Sequence, residues 1–308
     1  MGNLSLRTRA LLALALMPLL FSTNIVIGRA LVQEVPPFTL SAIRWSIASG
    51  LTALFIAPAL RQHWPAIREA WRTVFLLGFL STSICGALVY ASLKLTTAIN
   101  ATLIYCSSTL MIALIDRALG GPRLTPLRIA GIALGFLGVV AIVTRGHPEI
   151  LASIDLNIGD LAILVVALGW AGYSLILGRS AALQKLPTQV VFASVAAAGV
   201  ALLLPGAMVE MALLGPFPMT LEIWGSILAL AVFPSILAFA TYQYGVAVVG
   251  PTVAGMFLYF MPVHGIALAV LFLGETPAWY HAVGLVLVLA GVFLATSQRT
   301  PPAKENAA

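Results

Sequence analysis

The sequence predicts an all-α integral membrane protein, in which ten transmembrane helices form two five-helix inverted-topology repeats around a central cavity. Three observations predict this fold. Apolar residues make up 61 % of the 308 positions and charged residues only 8 %, whereas a soluble domain carries roughly 25 % charged residues. The apolar residues fall into ten runs, each near the length of about 20 residues that a spanning helix needs. The first five runs are similar to the last five.

Proline, glycine and charged clusters divide the chain into these ten runs, and each run is predicted to be one helix. The first run follows Arg7 and Arg9. It lacks a clear small-residue cleavage site, so we expect it to stay in the protein and not to be removed as a signal peptide. The predicted helices cover residues 10–30, 37–59, 72–93, 97–118, 125–144, 158–179, 188–206, 222–246, 251–273 and 278–297.

The loops between these helices carry an uneven charge. Lys and Arg concentrate in short cytoplasmic loops of membrane proteins. With a cytoplasmic N-terminus, twelve of the sixteen basic residues lie on the cytoplasmic side, whereas Arg29, Lys94 and Arg145 lie outside and Arg44 lies within the second helix. The distribution predicts a multi-pass protein of a bacterial inner membrane with both termini in the cytoplasm.

Composition also argues against other classes of protein. The net charge of +6 comes from basic residues scattered singly in loops, so no nucleic-acid partner is predicted. Cys85 and Cys106 both lie inside apolar runs, where neither a disulfide framework nor a metal site is expected. No H-E-x-x-H or G-x-S-x-G motif is present, so neither an enzyme nor a cofactor is predicted. The expected partners are a small-molecule substrate and the lipid bilayer.

The two halves of the chain, residues 1–148 and 149–308, repeat one another. Gly28-Arg29 recurs as Gly178-Arg179, 150 residues later, and Pro37 recurs as Pro187. Each half holds five predicted helices, an odd number, so the halves cross the membrane in opposite senses. Inverted repeats of this kind are typical of secondary transporters, whose substrate site lies near the midplane between the repeats.

Three stretches resemble motifs of a known family: STNIVIGRAL at 22–31, PPFTLSAIRW at 36–45 and MPVHGIALAVLFLGE at 261–275. With these motifs the chain resembles the drug/metabolite transporter superfamily, in particular its EamA branch and, within it, exporters of the YddG type. The resemblance implies ten helices in two halves of five and the export of amino acids, aromatic or large neutral ones above all. The second half reads FLGETPAWY where the first reads ALGGPRLTP, so only Glu275 matches the acidic residue of the family.

Polar residues within the first two helices are candidates for the site, because polar groups in hydrocarbon are costly unless they are paired. Asn24 lies midway along the first helix and Ser174 is its repeat equivalent. Both are interpreted either as links between helices or as cavity-lining groups. Arg44 lies about eight residues into the second helix, where it has either a structural role or one in gating or in binding a substrate carboxylate.

His264 and Pro262 lie together in the ninth predicted helix. The histidine is interpreted as a hydrogen-bonded packing residue, a substrate ligand or a proton relay. Pro262 frees a backbone carbonyl, which suits a bent helix beside a cavity. Gly250 and Pro251 begin that helix and are a candidate hinge.

Several aromatic residues lie too deep for the interfacial belts where Trp and Tyr collect. Tyr90 and Tyr242 are repeat equivalents, although Tyr242 also fits a belt position, and Trp170 precedes Ser174 by one helical turn. Aromatic walls favour flat or amphipathic solutes. The candidates in this class are Tyr90, Tyr105, Trp170, Tyr242 and Tyr259.

No Asp or Glu lies deep in a predicted helix, although coupled transport commonly uses such a carboxylate. Facilitated and proton-coupled export therefore both remain open. The prediction is an exporter of amino acids that works by alternating access through a midplane cavity. The alternatives are an exporter of other amphipathic metabolites or drugs such as nucleosides, a channel, and a polytopic membrane enzyme. The substrate, the direction and the oligomeric state are open at this point.

Overall fold

The computed structural model describes residues 5–95, 98–121, 124–144, 146–147, 149, 158–261, 263–264 and 279–297. In these ranges the chain folds into ten helical segments and one single-turn helix, Ala181–Gln184. The ten segments are α1 Leu6–Leu31, α2 Pro37–Glu69, α3 Trp71–Leu93, α4 Ala98–Ala118, α5 Pro126–Val143, α6 Ile158–Arg179, α7 Thr188–Leu214, α8 Leu221–Val249, α9 Pro251–Phe260 and α10 Trp279–Ser297.

The helices have the length and composition of membrane spans. Among the described residues, six of them (α1, α2, α3, α6, α7 and α8) contain apolar stretches long enough to cross a bilayer, and α5, α9 and α10 contain shorter apolar stretches. The protein is therefore a multi-pass, all-helical membrane protein, as predicted. The total of ten spans stays a prediction for the four other segments.

Two helices are longer than the sequence predicts. Prolines were expected to end them, but α2 passes through Pro58 and Pro65, with a kink at Ile56 (φ −116°, ψ 18°), and α7 passes through Pro205. A proline removes a single backbone hydrogen bond, and within a bilayer ending the helix there would leave more backbone groups without partners. The predicted ends at residues 59 and 206 are thus wrong; the helices end at residues 69 and 214.

The extension of α7 also moves Glu210 from a predicted loop into a helix. Its Oε2 atom accepts hydrogen bonds from the Thr39 backbone N–H (2.7 Å) and from Thr39 Oγ1 (3.0 Å). These donors lie in the first turn of α2, where backbone N–H groups have no partner within the helix. Glu210 therefore caps α2 from a neighbouring helix.

Helices α3 and α8 each contain a π-helical stretch, Phe79–Leu88 and Ala231–Leu237 respectively. Their first residues are 152 residues apart, which is the offset that relates Tyr90 to Tyr242. Such wider turns are frequent at functional sites. In this protein each one contributes a residue to the central cavity described below.

The main helix contacts are similar in the two halves: each has a counterpart between the equivalent helices of the repeat. Helix α1 packs on α8 and α6 packs on α3, while α4 packs on α6 and α9 packs on α1. The pairs α2–α7 and α5–α10 join equivalent helices directly. Close approach needs glycine in the second pair, because a Cβ on Gly291 would lie 2.6 Å from the backbone nitrogen of Gly135.

Candidate functional site

A cavity lies at the centre of the bundle, where helices of both halves meet. Its volume is about 50 Å³, enough for a few water molecules, each of which needs roughly 10–15 Å³ on this measure. A solute as large as an amino acid needs a wider space than this. The lining residues are Phe21, Asn24, Arg44, Cys85, Val89, Leu93, Tyr105, Ile163, Trp170, Pro234, Phe239 and Met261.

One wall of the cavity is aromatic and centres on Trp170. The rings of Phe21 and Phe239 meet the indole edge-on, with centroids 5.5 Å and 5.6 Å away, and the Tyr105 ring lies 6.3 Å away. Edge-to-face contacts of this kind are favourable beyond the area they bury. They join α1, α4, α6 and α8 into one wall, which offers flat apolar surface to a bound molecule.

A cluster of three polar side chains on α1, α2 and α3 lies beside the aromatic wall. Arg44 donates from Nη1 to Asn24 Oδ1 and to Tyr90 Oη. Tyr90 Oη in turn donates to Asn24 Oδ1 over 2.7 Å. Asn24 Oδ1 accepts both bonds, and the Asn24 amide nitrogen, which can only donate, takes no part in them. Asn24 and Arg44 line the cavity, whereas the Tyr90 side chain is completely buried behind them.

Arg44 carries a charge that no described acidic residue neutralises. Its side chain is 2 % exposed, and the ion pairs in the described ranges involve Arg179 and His147 instead. Two aromatic faces lie near the guanidinium, Trp45 at 5.2 Å and Tyr90 at 5.3 Å from Cζ, and give weak cation–π stabilisation. Arg44 Nε has no hydrogen-bond partner in the described part of the chain.

The second half contains the counterpart of the Asn24–Tyr90 contact. Ser174 donates to the Trp170 carbonyl (2.7 Å), and the hydroxyl of Tyr242 lies 2.5 Å from Ser174 Oγ. Ser174 and Tyr242 are both completely buried, and the Tyr242 ring packs on Trp170 with centroids 4.8 Å apart. This pair supports the aromatic wall from behind and does not line the cavity.

Two other predicted residues lie away from the cavity. Tyr259 is buried between α5 and α10, against Val288. His264 is half-buried, and its Nδ1 lies 2.9 Å from the Phe260 carbonyl oxygen. Neither is among the lining residues in the described ranges. The predicted Pro262 and Glu275 lie outside the residues that the structure describes.

Gly250 and Pro251 belong to a separate polar cluster at the ends of α4 and α6. Arg179 donates to Asp116 Oδ1 over 2.6 Å and to the Leu119 carbonyl over 2.8 Å. Thr252, in the first turn of α9, donates to Asp116 Oδ2 over 3.2 Å. Gly250 has a φ of +83°, which suits glycine. The cluster joins the two halves of the chain at one end of the bundle.

Sequence reasoning missed part of the aromatic wall. Phe21 precedes Asn24 by three residues, and Phe239 precedes Tyr242 by three. Residues three apart share a helix face, so the two phenylalanines lie on the faces that carry the candidate polar residues. That spacing was the available signal. The remaining lining residues left no comparable signal in the sequence; they are Cys85, Val89, Leu93, Ile163, Pro234 and Met261.

A larger cavity of about 630 Å³ lies between α2, α3 and α7. It is lined chiefly by alanines and other apolar residues, and Trp64 and Trp71 at its edge are more than half exposed. It therefore opens on the outer surface of the bundle. The central cavity is the better candidate site, because it lies inside the bundle and is lined by Asn24 and the buried Arg44.

A family model described as "EamA-like transporter family" matches residues 8–144 and again 157–297. An uncharacterized transporter of Archaeoglobus fulgidus is 28 % identical over 288 residues, which cover 94 % of this chain and 97 % of the relative. An aromatic amino acid exporter, YddG of Ancylobacter novellus, is 27 % identical over 284 residues, which cover 90 % of this chain and 93 % of the relative. The resemblance seen in the sequence is confirmed.

A solved structure titled "Crystal structure of protein" superposes with a TM-score of 0.73. The match covers 94 % of this chain and 97 % of the solved one, at 24 % identity. At that identity the likeness concerns the fold alone. It agrees with the helical membrane fold described above.

Proposed function

Because the chain belongs to the EamA-like transporter family, it is a membrane transporter, and we propose that it exports amino acids with aromatic or large neutral side chains. The proposal rests on one observation above all, the central cavity that combines an aromatic wall with Asn24 and Arg44. Flat apolar side chains stack on such a wall, while the polar groups bind the main-chain end of an amino acid. The name of the Ancylobacter novellus relative supports the same substrate class.

The two halves, residues 1–148 and 149–308, act as inverted repeats that rock against each other. The double match of the family model supports this division, as does the equivalence of the Asn24–Tyr90 and Ser174–Tyr242 contacts. Transporters of this kind place the substrate site at the repeat interface. In this proposal the protein lies in the bacterial inner membrane, with both termini on the cytoplasmic side, as the basic loops indicate.

Alternating access gives the candidate residues distinct roles. Asn24, Tyr105 and Trp170 contact the substrate, and Tyr90, Ser174, Tyr242 and Tyr259 hold the surrounding helices. The cluster of Asp116 and Arg179 closes the cytoplasmic end, and Gly250 and Pro251 are the hinge beside it. His264 is either a structural residue or the proton carrier, and Pro262 and Glu275, which lie outside the described residues, stay candidates for a gating or structural role.

The test is uptake of labelled phenylalanine, tryptophan, threonine and a nucleoside into proteoliposomes. We expect saturable uptake and counterflow of the two aromatic amino acids. Trp170→Leu should reduce uptake strongly, whereas Trp71→Leu, at an exposed tryptophan, is the matched control and should not. Nucleoside uptake without amino-acid uptake would contradict the proposed substrate, and non-saturable flux would indicate a channel.

The same assay decides how transport is driven. Uptake is measured with and without a pH gradient, for the wild type and for His264→Ala. A gradient effect that disappears in the variant would make His264 the coupling residue. Uptake that is indifferent to the gradient in both proteins would indicate facilitated export.

A further inference from the structure

The guanidinium of Arg44 is a buried permanent charge that lines the central cavity. Arginine is not deprotonated in proteins, and burying its charge is costly unless an anion accompanies it. No acidic residue pairs with it in the described part of the chain. The asparagine and tyrosine that contact it are neutral, so no residue in the described ranges compensates its charge.

The hydrogen bonds of Arg44 use only one edge of the group. Nη1 makes both described bonds, to Asn24 and to Tyr90, and Nε makes none within the described residues. In a planar guanidinium the Nε–H bond and one Nη2–H bond are parallel and form a fork that matches the two oxygens of a carboxylate. Occupation of Nη1 therefore orients the group, while Nε is buried and makes no hydrogen bond among the described residues.

The neighbouring groups also favour an acceptor. Asn24 uses Oδ1 toward Arg44 and Tyr90, so its amide nitrogen presents donors only. A cavity with a cation, amide donors and no described acid selects a ligand that is an anion and a hydrogen-bond acceptor. On the other side, Phe21, Trp170 and Phe239 offer apolar contact.

From this arrangement we propose that Arg44, held by Asn24 and Tyr90, is the carboxylate anchor of the site, and that the transported molecule is an arylalkyl carboxylate whose apolar part packs on the aromatic wall. The inference rests on the proposed function and narrows it. The carboxylate becomes the required feature of the substrate, and the ammonium group becomes dispensable. Aromatic amines without a carboxylate are then excluded from transport.

The experiment uses competition between related small molecules in proteoliposomes that contain the full chain. Unlabelled phenylalanine, 3-phenylpropionate, phenylalaninamide and phenethylamine compete with labelled phenylalanine for uptake. The first two keep the carboxylate and the last two lack it. We expect the amide and the amine to compete at least about tenfold more weakly, since hydrogen bonds to charged groups are the strong ones in such sites.

Two variants test whether Arg44 is the reason for this selectivity. Arg44→Lys keeps the charge but not the fork, and should bind the carboxylates more weakly while still discriminating against the amine. Arg44→Gln should lose the discrimination. Arg72→Gln removes an exposed arginine that lies over Trp71 and is the control, with unchanged selectivity. If Arg44→Gln does not fold, the competition series on the wild type still tests the proposal.

Direct binding separates this inference from the proposed function. Thermal stabilisation of the purified protein is measured with the same four compounds. Stabilisation by phenylalanine and 3-phenylpropionate without any uptake would support the anchor and refute transport of these solutes. Equal competition or equal stabilisation by phenethylamine would overturn the anchor, whether or not transport occurs, as would failure of every carboxylate to bind.

Discussion

Arg44 and Arg179 are two arginines that lie at contacts between helices, but their surroundings are opposite. Arg179 is 37 % exposed and pairs with Asp116, with two backbone carbonyls accepting further bonds. Arg44 is 2 % exposed and contacts neutral partners and aromatic rings. The first charge is neutralised where water still reaches it. The second lies where burial costs most, and no acidic residue in the described ranges pairs with it.

We interpret the difference as one between a structural charge and, in our proposal, a binding charge. A paired arginine at the end of a helix can hold elements together, but it has no capacity left for a ligand. An unpaired arginine in a cavity is poorly compensated until an anion arrives, so ligand binding supplies the missing partner. The family motif around Arg44 did not distinguish these roles, and the partners of the side chain do.

The largest effect should follow from placing an acidic residue next to Arg44. In Asn24→Asp the new carboxylate forms an ion pair with Arg44 and competes with the substrate carboxylate. We expect uptake of phenylalanine to fall about 100-fold, because a charged, hydrogen-bonded partner is lost to the substrate. Thermal stability should be maintained or increased. Unchanged uptake would mean that Arg44 does not bind the substrate.

Next in size is a change in the paired region. A Cβ on Gly178 would lie 2.9 Å from Pro251 Cδ, so Gly178→Ala forces α6 and α9 apart. We expect a loss of about 2 kcal/mol in stability, as for overpacked sites. Gly225→Ala is the matched control, because a Cβ there meets nothing within 4 Å. Equal denaturation midpoints for the two variants would contradict the tight contact.

Removal of the acid from the paired region should have a somewhat smaller effect. Asp116→Asn leaves Arg179 without its counter-ion and weakens the bond to Thr252. Because Arg179 is partly exposed, we expect a loss of only about 1 kcal/mol. A double-mutant cycle with Arg179→Gln measures the coupling between the two side chains. A coupling near zero would show that the ion pair does not contribute to closure.

A stability effect no larger than that one, and the clearest contrast between the halves, should come from the two equivalent tyrosines. Tyr90→Phe and Tyr242→Phe each remove one buried hydroxyl and should each cost about 1 kcal/mol of stability. Only Tyr90→Phe removes a partner of Arg44, so only this variant should lower the apparent affinity for phenylalanine by several-fold. Equal affinities in the two variants would place both hydroxyls in purely structural roles.

Much of the fold was predictable because it depends on local properties of the chain. Apolar runs and basic loops indicated the helices, and most helix ends agree with the prediction to within a few residues. The errors occurred at Pro58 and Pro205, where helices continue. A proline costs a helix one hydrogen bond, and local sequence does not reveal whether neighbouring helices support the turn around it.

The candidate site was predictable only in part. The repeat offset related Asn24 to Ser174, and in the structure each contacts the tyrosine that the same repeat relates. The offset did not reveal that Asn24 faces the cavity whereas Ser174 is completely buried. The halves are not identical in sequence, and the packing of neighbouring helices decides which face meets the cavity.

By itself, the sequence determined the class of the protein, its apolar segments and the correspondence of its halves, because length, hydropathy and periodicity belong to each segment alone. Only the tertiary structure decided that Phe21 and Phe239 meet at Trp170 and that Arg44 lies between Asn24 and Tyr90 without an acid among the described residues. These partners lie 20 to 218 positions apart in the chain. Their contacts depend on how whole helices rotate and pack, which no single segment encodes.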